Sequence, residues 1–257
     1  MSNYLVDNRK VQDGIIATAG FNSSTWYTRE TPTQFSINSA FNGSENIFDW
    51  VLVKTMDTRY AKSNVIKIAS NTKKSQVVQF TTAFLTNNYY VFFSSAGNTS
   101  LFTVEKYNNR FVINSSGPLG NEITWFAIHN TLVTSNGFNS TGNLFAGTRI
   151  IGASLPENYD SSGNAIDSIP ITNNDAYCNL SGWYQNEYLI RPTTSLDGFQ
   201  VLPNLSSYSI ILSSNVNINT FWINKAPDRV IIGTSYPTPC SVDYLMVQTG
   251  VDWWNLL

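Results

Sequence analysis

Residues 89–128 read YYVFFSSAGNTSLFTVEKYNNRFVINSSGPLGNEITWFAI, and residues 208–247 read YSIILSSNVNINTFWINKAPDRVIIGTSYPTPCSVDYLMV. The two stretches align without a gap at a constant offset of 119, and ten of the forty aligned positions are identical. The short apolar runs between these identities also correspond. Because chance rarely preserves such spacing, we conclude that the chain contains copies of one small module.

A third and weaker copy lies near the start of the sequence. Residues 35–39 (FSINS) resemble residues 111–115 (FVINS), and a turn-rich stretch and an aromatic strand follow in both copies. We therefore divide the chain into four parts. They are a partial or divergent β module at 1–57, a β-sandwich module at 72–135, a loop-rich insertion or start of the last module at 136–198, and a β-sandwich module at 199–257.

The composition predicts an all-β protein made of tandem small antiparallel β-sandwich modules. Aromatic residues make up 14% of the chain and charged residues only 12%, whereas charged residues are roughly 25% of an average protein. Short β-branched and aromatic runs are separated by clusters of Asn, Gly, Ser and Pro, as in sandwiches and barrels. A helical turn is compatible with the pattern only at Asp57–Lys67, and further strands are predicted at 148–151 and 184–190.

The closing strand of each clear copy has two apolar faces over its second half. In a strand, alternate residues lie on opposite faces. One face of the strand at 123–128 begins with a Thr and ends with Phe126 and Ile128, and its copy ends with Leu245 and Val247. These four residues are predicted to form an interface, either with a neighbouring module or with another chain in an oligomer.

Charge and sequence signals exclude several classes of function. A net charge of −2 argues against nucleic acid as a partner. The sequence contains no signal-peptide pattern and no apolar run long enough for a membrane span. Cys178 and Cys240 could form one bridge, but two free thiols are expected in a protein made in a reducing cytosol.

No catalytic residue, metal site or cofactor is predicted. His129 is the single histidine, and we expect it to face solvent at the end of a strand. The stretch Asp160–Asp167 offers oxygen ligands that could bind calcium, but it lacks the order of a calcium loop, and an Asx-type turn is the other interpretation. The remaining acidic residues are scattered, which disfavours an enzyme such as a glycan depolymerase.

Aromatic residues beside polar turns are the candidates for binding. Sugar rings stack on Trp and Tyr, whose side chains are apolar with a polar tip. Trp183 and Tyr184, and also Trp26 and Tyr27, are therefore predicted to bind glycan. Trp50 and Trp125 are instead predicted to lie in the core.

The order of strands from residues 78–84 (VQFTTAF) to residues 123–128 (ITWFAI) resembles the small β-sandwiches at the tips of bacteriophage tail fibres, and more loosely the H-type lectin domain. The resemblance implies a trimeric virion surface protein that contacts a bacterial surface glycan. It transfers no binding residue, because the matching positions are core positions. The chain departs from a complete fibre in having no heptad stem or evident shaft.

The sequence thus predicts a phage virion protein of the tail-fibre or receptor-binding type, with glycan binding on the long insertion. The alternative is a structural tail, collar or capsid decoration protein that binds only other virion proteins. Either protein would be made in the host cytoplasm and carried in the virion. Its expected partners are other virion proteins, copies of itself in a homo-oligomer (a trimer being favoured) and host carbohydrate.

Overall fold

The computed structural model describes residues 4–7, 14–31, 34–40, 47–69, 72–132, 144–151, 187–190, 208–226, 229–235 and 240–249. These residues form eighteen strands and one short 3-10 helix at Asn130–Leu132, and no α-helix. The all-β fold class is therefore confirmed. The strands of the first repeat, module one, are β1 (Tyr4–Asp7), β2 (Gly14–Ala19), β3 (Thr25–Thr31), β4 (Gln34–Ser39) and β5 (Phe48–Val53).

Two further repeats follow, after the short strand β6 (Met56–Asp57). Module two consists of β7 (Ala61–Lys67), β8 (Ser75–Gln79), β9 (Tyr89–Ser95), β10 (Leu101–Tyr107), β11 (Arg110–Ser115) and β12 (Glu122–His129). Module three consists of β13 (Leu144–Ile151), β14 (Glu187–Ile190), β15 (Tyr208–Ser214), β16 (Thr220–Ala226), β17 (Arg229–Thr234) and β18 (Cys240–Gln248).

All three modules pair their strands in the same nested, antiparallel way. In module two, the closing strand β12 lies between the opening strand β9 and the outer strand β7, while β11 lies between β10 and β8. Module three repeats this with β18 between β15 and β13, and β17 between β16 and β14. In module one, β4 lies between β3 and β1, and the closing strand β5 pairs with the opening strand β2. Jelly rolls pair their strands in the same nested order but have more of them.

The modules are larger than the sequence alignment indicated. β7 lies in the stretch between the first two predicted modules, and β13 and β14 lie within 136–198, so part of that segment is the start of module three. The stretch Asp57–Lys67, where the sequence was compatible with a helical turn, contains strands instead. β7 pairs with β12 through seven consecutive residues, and such tertiary pairing overrides local propensity.

The strand that follows the opening strand in each module, which is β3, β10 or β16, carries an irregularity at a related place. The register skips one residue between Thr103 and Glu105 in β10, between Trp222 and Asn224 in β16, and between Arg29 and Thr31 in β3. An extra residue of this kind is a β-bulge, which bends a strand and increases its twist. Its recurrence in all three copies supports the interpretation of the chain as a triplicated module.

Each module has its own apolar core between its two layers of paired strands. Trp125 lies in the core of module two with 5% of its surface exposed, as predicted. Every residue of β12 is buried, which confirms that both faces of this closing strand are covered. Trp50, at the equivalent position of β5, is 40% exposed, so the prediction that it is a core residue is wrong.

A fourth apolar cluster lies between the modules and draws on all three. The opening strands contribute Ile16, Phe92 and Ile211 from equivalent positions. The closing strands contribute, again from equivalent positions, Val51, Val53, Phe126, Ile128, Leu245 and Val247. The four residues predicted to form an interface therefore meet within one chain, and their burial requires no second copy.

The three modules close into a ring with a pseudo-three-fold axis. β2, β9 and β15 all contact one another, and each opening strand also contacts the closing strand of the next module, β2 with β12, β9 with β18 and β15 with β5. Three equivalent hydrogen bonds mark these contacts. The backbone N–H groups of Ile15, Val91 and Ile210 donate to Thr124 Oγ1 (3.3 Å), Asp243 Oδ2 (3.2 Å) and Asp49 Oδ2 (3.0 Å) respectively.

Candidate functional site: an axial pocket

A polar pocket lies where the three modules meet, with a cavity volume of about 50 Å³. Five equivalent positions of each module line it, so it lies on the pseudo-three-fold axis. The lining residues are Ala17, Thr18, Ser23, Ser24 and Thr25 of module one, Phe93, Ser94, Thr99, Ser100 and Leu101 of module two, and Leu212, Ser213, Ile218, Asn219 and Thr220 of module three.

A ring of three buried hydroxyl groups links the opening strands beside the pocket. Ala17 N–H donates to Ser94 Oγ at 3.0 Å, and Leu212 N–H donates to Thr18 Oγ1 at 3.1 Å. At the third equivalent position, Ser213 Oγ donates to the carbonyl oxygen of Val91. Each hydroxyl thus satisfies a backbone group of the neighbouring module, as buried polar groups require.

A second set of contacts joins the modules at the polar lining. Ser24 Oγ donates to Asn98 Oδ1 at 2.8 Å, and Ser100 Oγ donates to Asn219 Oδ1. Asn219 is held in turn because its backbone N–H donates to Ser235 Oγ at 3.0 Å. None of the described side chains that line the pocket is charged. Its volume admits about three or four waters, or one small polar group of a larger ligand.

Charged groups lie beside the axis and lock neighbouring modules together. Glu122 of module two accepts hydrogen bonds from Arg29 Nη2 (2.8 Å) and Tyr27 Oη (3.1 Å) of module one, and from Lys67. Burial alone would raise the pKa of Glu122, but these cations outweigh it and lower the pKa below its usual value. Between modules two and three, Lys106 Nζ lies 3.3 Å from Asp243 Oδ2. These charged groups therefore join neighbouring modules.

Two ends of the ring can be distinguished along the axis. The pocket end carries the turns that follow the opening strands, such as residues 96–100 between β9 and β10. The far end carries the hairpin between Tyr107 and Arg110, since β10 runs away from pocket residue Leu101 for six residues, or about 20 Å.

The long segment 152–186 connects β13 to β14 in the sequence and lies outside the described residues. On one side of it Ile151 pairs with Cys240, and on the other Glu187 pairs with Gly233. Gly233 is two residues before Ser235, whose N–H donates to the carbonyl of pocket residue Asn219 at 3.1 Å. The described residues on both sides of this segment therefore lie near the pocket.

The structure does not present Trp26 and Tyr27 as a stacking surface. Trp26 is 9% exposed and Tyr27 is 1% exposed, and the Tyr27 hydroxyl is occupied by Glu122 and Thr124. Because stacking needs an open ring face, the prediction of glycan binding at these two residues is not supported. Trp183 and Tyr184 lie outside the described residues, and so does the stretch Asp160–Asp167.

His129 is at the end of β12 as predicted, but it is buried and does not face solvent. Its Nε2 lies 3.0 Å from Thr86 Oγ1, and its Nδ1 lies 2.9 Å from Thr131 Oγ1. Burial lowers the pKa of His129. In the described part of the chain, no three His, Cys, Asp or Glu residues are grouped so that they could hold a metal.

Cys240 is a buried free thiol. Burial raises its pKa to about 11, which makes the thiol unreactive in the folded protein. Cys178 lies outside the described residues. Among the described helices and strands, no helix is long and apolar enough to cross a membrane.

Sequence reasoning missed the axial pocket. One signal was present, since Ser94-Ser95 and Ser213-Ser214 are identical pairs in the alignment that end apolar strands. Paired hydroxyl residues kept at buried positions indicate a shared polar contact. Nothing in the alignment indicated that the three contacts would meet on one axis.

In comparisons with known proteins, no family model, curated protein or solved structure matches the chain.

Proposed function

We propose that the chain is a bacteriophage virion protein of the tail-fibre or receptor-binding type, which engages neutral host surface glycan at the pocket end of its ring. The observation that supports this most is the axial pocket, whose polar lining among the described residues consists of hydroxyl and amide groups without a charged side chain. Such groups bond sugar hydroxyls without requiring an ionic partner. The resemblance to tail-fibre tips supports the same assignment.

The long segment 152–186 contributes Trp183 and Tyr184 to this proposal, because these are the aromatic residues predicted to stack on sugar rings. Its described neighbours Ile151 and Glu187 lie at the pocket end. In this proposal a terminal sugar contacts the pocket while an adjacent sugar ring stacks on Trp183.

Glycan binding is tested with purified host cell-wall or capsular polysaccharide and the variants Trp183→Ala and Asn219→Leu. We expect each to weaken binding at least tenfold with the fold intact by circular dichroism. The matched control is Tyr107→Ala, because Tyr107 is an exposed aromatic residue at the far end. Equal binding by all four proteins, or no binding by the unmodified chain, would contradict the proposal.

The alternative is a structural virion component that binds only other virion proteins. One observation favours it, since the outer face of module two exposes apolar side chains. Val77 and Tyr107 are 51% and 43% exposed, and their register pairs place them on the same face of the sheet. Exposed apolar patches of this kind mark protein contacts. Labelling the protein in intact virions separates the two functions, because a receptor-binding protein must be accessible at an exposed tip.

A further inference from the structure

His129 connects three segments of the chain at the end of β12. Its Nε2 lies 3.0 Å from Oγ1 of Thr86, which precedes β9, and its Nδ1 lies 2.9 Å from Oγ1 of Thr131 in the 3-10 helix. The backbone N–H of His129 donates to the carbonyl oxygen of Tyr60 at 2.7 Å. We call His129, Thr86 and Thr131 the His129 cluster. It holds the 3-10 helix at Asn130–Leu132 against the segment before β9.

One contact of the His129 cluster determines which ring nitrogen carries the proton. The backbone N–H of Thr131 donates to Nδ1 of His129 at 3.3 Å. Because a backbone N–H can only donate, Nδ1 is the acceptor, and the proton of the neutral imidazole lies on Nε2. Nε2–H then donates to Thr86 Oγ1, and the hydroxyl of Thr131 donates to Nδ1. The cluster is therefore complete only when the imidazole is neutral.

Two cations and one carboxylate lie near the imidazole. The Lys62 ammonium is 5.0 Å from the ring centroid of Phe84, and that ring is 5.5 Å from the imidazole. Arg59 stacks on Tyr60 at 5.2 Å, and the Tyr60 ring is 6.4 Å from the imidazole. The carboxylate is Asp57, which pairs with Lys62. An imidazolium would therefore add a third positive charge to a region whose carboxylate is already paired.

The other elements packed against the imidazole supply uncharged groups. Tyr89 of β9 pairs with His129 in register, and its hydroxyl donates to backbone carbonyl oxygens of the β10–β11 hairpin. Burial raises the pKa of Tyr89 and of its neighbour Tyr90, so both stay neutral. Residues 80–88 and 130–132 contain no ionisable side chain. These surroundings favour the neutral imidazole, whose pKa is lowered by burial.

We propose that the His129 cluster is a pH-sensitive switch, which opens when His129 is protonated and releases the 3-10 helix from the central cluster. A proton added to Nδ1 would point at the backbone N–H of Thr131, so two donors would face each other. Their hydrogen bond is lost, and the single turn of helix opens. Leu132 lies at the end of this turn and packs against the central apolar cluster. Opening therefore withdraws an apolar side chain from the core that the three modules share.

Proton linkage gives the direction and the upper limit of the effect. Opening hydrates the imidazole and returns its pKa to the ordinary value of about 6.5, whereas the pKa is lower in the intact cluster. The intact cluster is therefore fully stable above about pH 6.5 and loses stability as the pH falls from there through its own lower pKa. For one proton, the opening equilibrium rises by at most about thirtyfold between about pH 7.5 and about pH 5.

Nuclear magnetic resonance of the full chain tests the proposal. Because His129 is the single histidine, its ring signals are assigned without ambiguity, and at about pH 7.5 they should show the proton on Nε2. The protection of the Thr131 amide, corrected for the intrinsic pH dependence of exchange, should fall at least about fivefold by about pH 5. The amides of β11 should stay at least about a hundredfold more protected than Thr131 at both pH values, because the opening is local.

His129→Gln is the matched variant, because Gln248 occupies the equivalent position of module three and a glutamine does not titrate. Its Thr131 protection should change less than about twofold over the same pH range. A proton on Nδ1 at neutral pH, or Thr131 protection that stays constant down to about pH 5, would overturn the proposal. The same fall in the variant, or equal protection of Thr131 and β11, would also overturn it. If the variant fails to fold, the ring proton and the Thr131 protection of the unmodified chain still decide the question.

Discussion

Replacing Phe126 by alanine should show that the three modules unfold as one unit. Phe126 is fully buried in the central cluster, and its ring stacks on that of Phe92 with centroids 6.3 Å apart. Truncation of a buried Phe to Ala costs about 3–5 kcal/mol. For a domain of this size, 1 kcal/mol shifts the melting temperature by roughly 2–4 °C, so we expect a decrease of about 6–20 °C.

The informative assay reads this change in a different module. Cys240 begins β18 in module three, and its buried thiol becomes reactive only when that module opens. In a Cys178→Ser background, urea unfolding is followed both by labelling of the Cys240 thiol and by tryptophan fluorescence. Phe126→Ala should lower the urea midpoint measured by labelling by the same amount as the midpoint measured by fluorescence. The exposed substitution Tyr107→Ala is the control and should change the unfolding free energy by about 0.5 kcal/mol or less. If Phe126→Ala left the urea midpoint of Cys240 labelling unchanged, the conclusion that the modules share one core would be refuted.

Three further substitutions test the interfaces and the buried titrating groups. Gly20→Ala should cost about 1–3 kcal/mol in a urea titration, because the added Cβ would lie 2.6 Å from Cζ2 of Trp222 in module three. The pKa of His129 is lowered in the folded state, so unfolding takes up a proton and stability should fall as the pH drops below about 6.5. His129→Gln, the residue present at the equivalent position of module three, should remove this dependence in melts from pH 8 to 5. The pKa of Glu122 is lowered chiefly by Arg29 and also by Lys67. The ionised Glu122 therefore adds to the free energy of unfolding above the usual carboxyl pKa, and this stabilisation is lost as the pH falls below that value. Glu122→Gln should therefore lower stability at pH 7 and reduce the loss of stability on acidification.

The internal repeat made the module predictable but not the ring. The aligned segments contain the opening to closing strands, such as β9 to β12, and their apolar spacing is enough to identify an all-β fold. The outer strands β7 and β13 lie beyond the alignment, so their membership of the modules could not be read from it. The sequence of β7 was also compatible with a helical turn, and the pairing with β12 makes it a strand.

The candidate site was less predictable than the fold, for a physical reason. Adjacent aromatic residues such as Trp26 and Tyr27 look the same in a sequence whether they stack on a sugar or fill an interface. Tyr27 is buried because the neighbouring module supplies Glu122 as its partner. Similarly, the sequence shows a polar residue near the start of each closing strand, such as Asp243, but the hydrogen bond that it accepts from the preceding module depends on ring closure.

The closed ring of three modules also has a consequence for behaviour on dilution. A ring assembled from three separate chains dissociates when the concentration falls, because its stability depends on the concentration of its subunits. Here the connections between modules are covalent, through the segments between β5 and β7 and between β12 and β13. The association of the modules is therefore independent of concentration, and a single molecule retains its central core at any dilution.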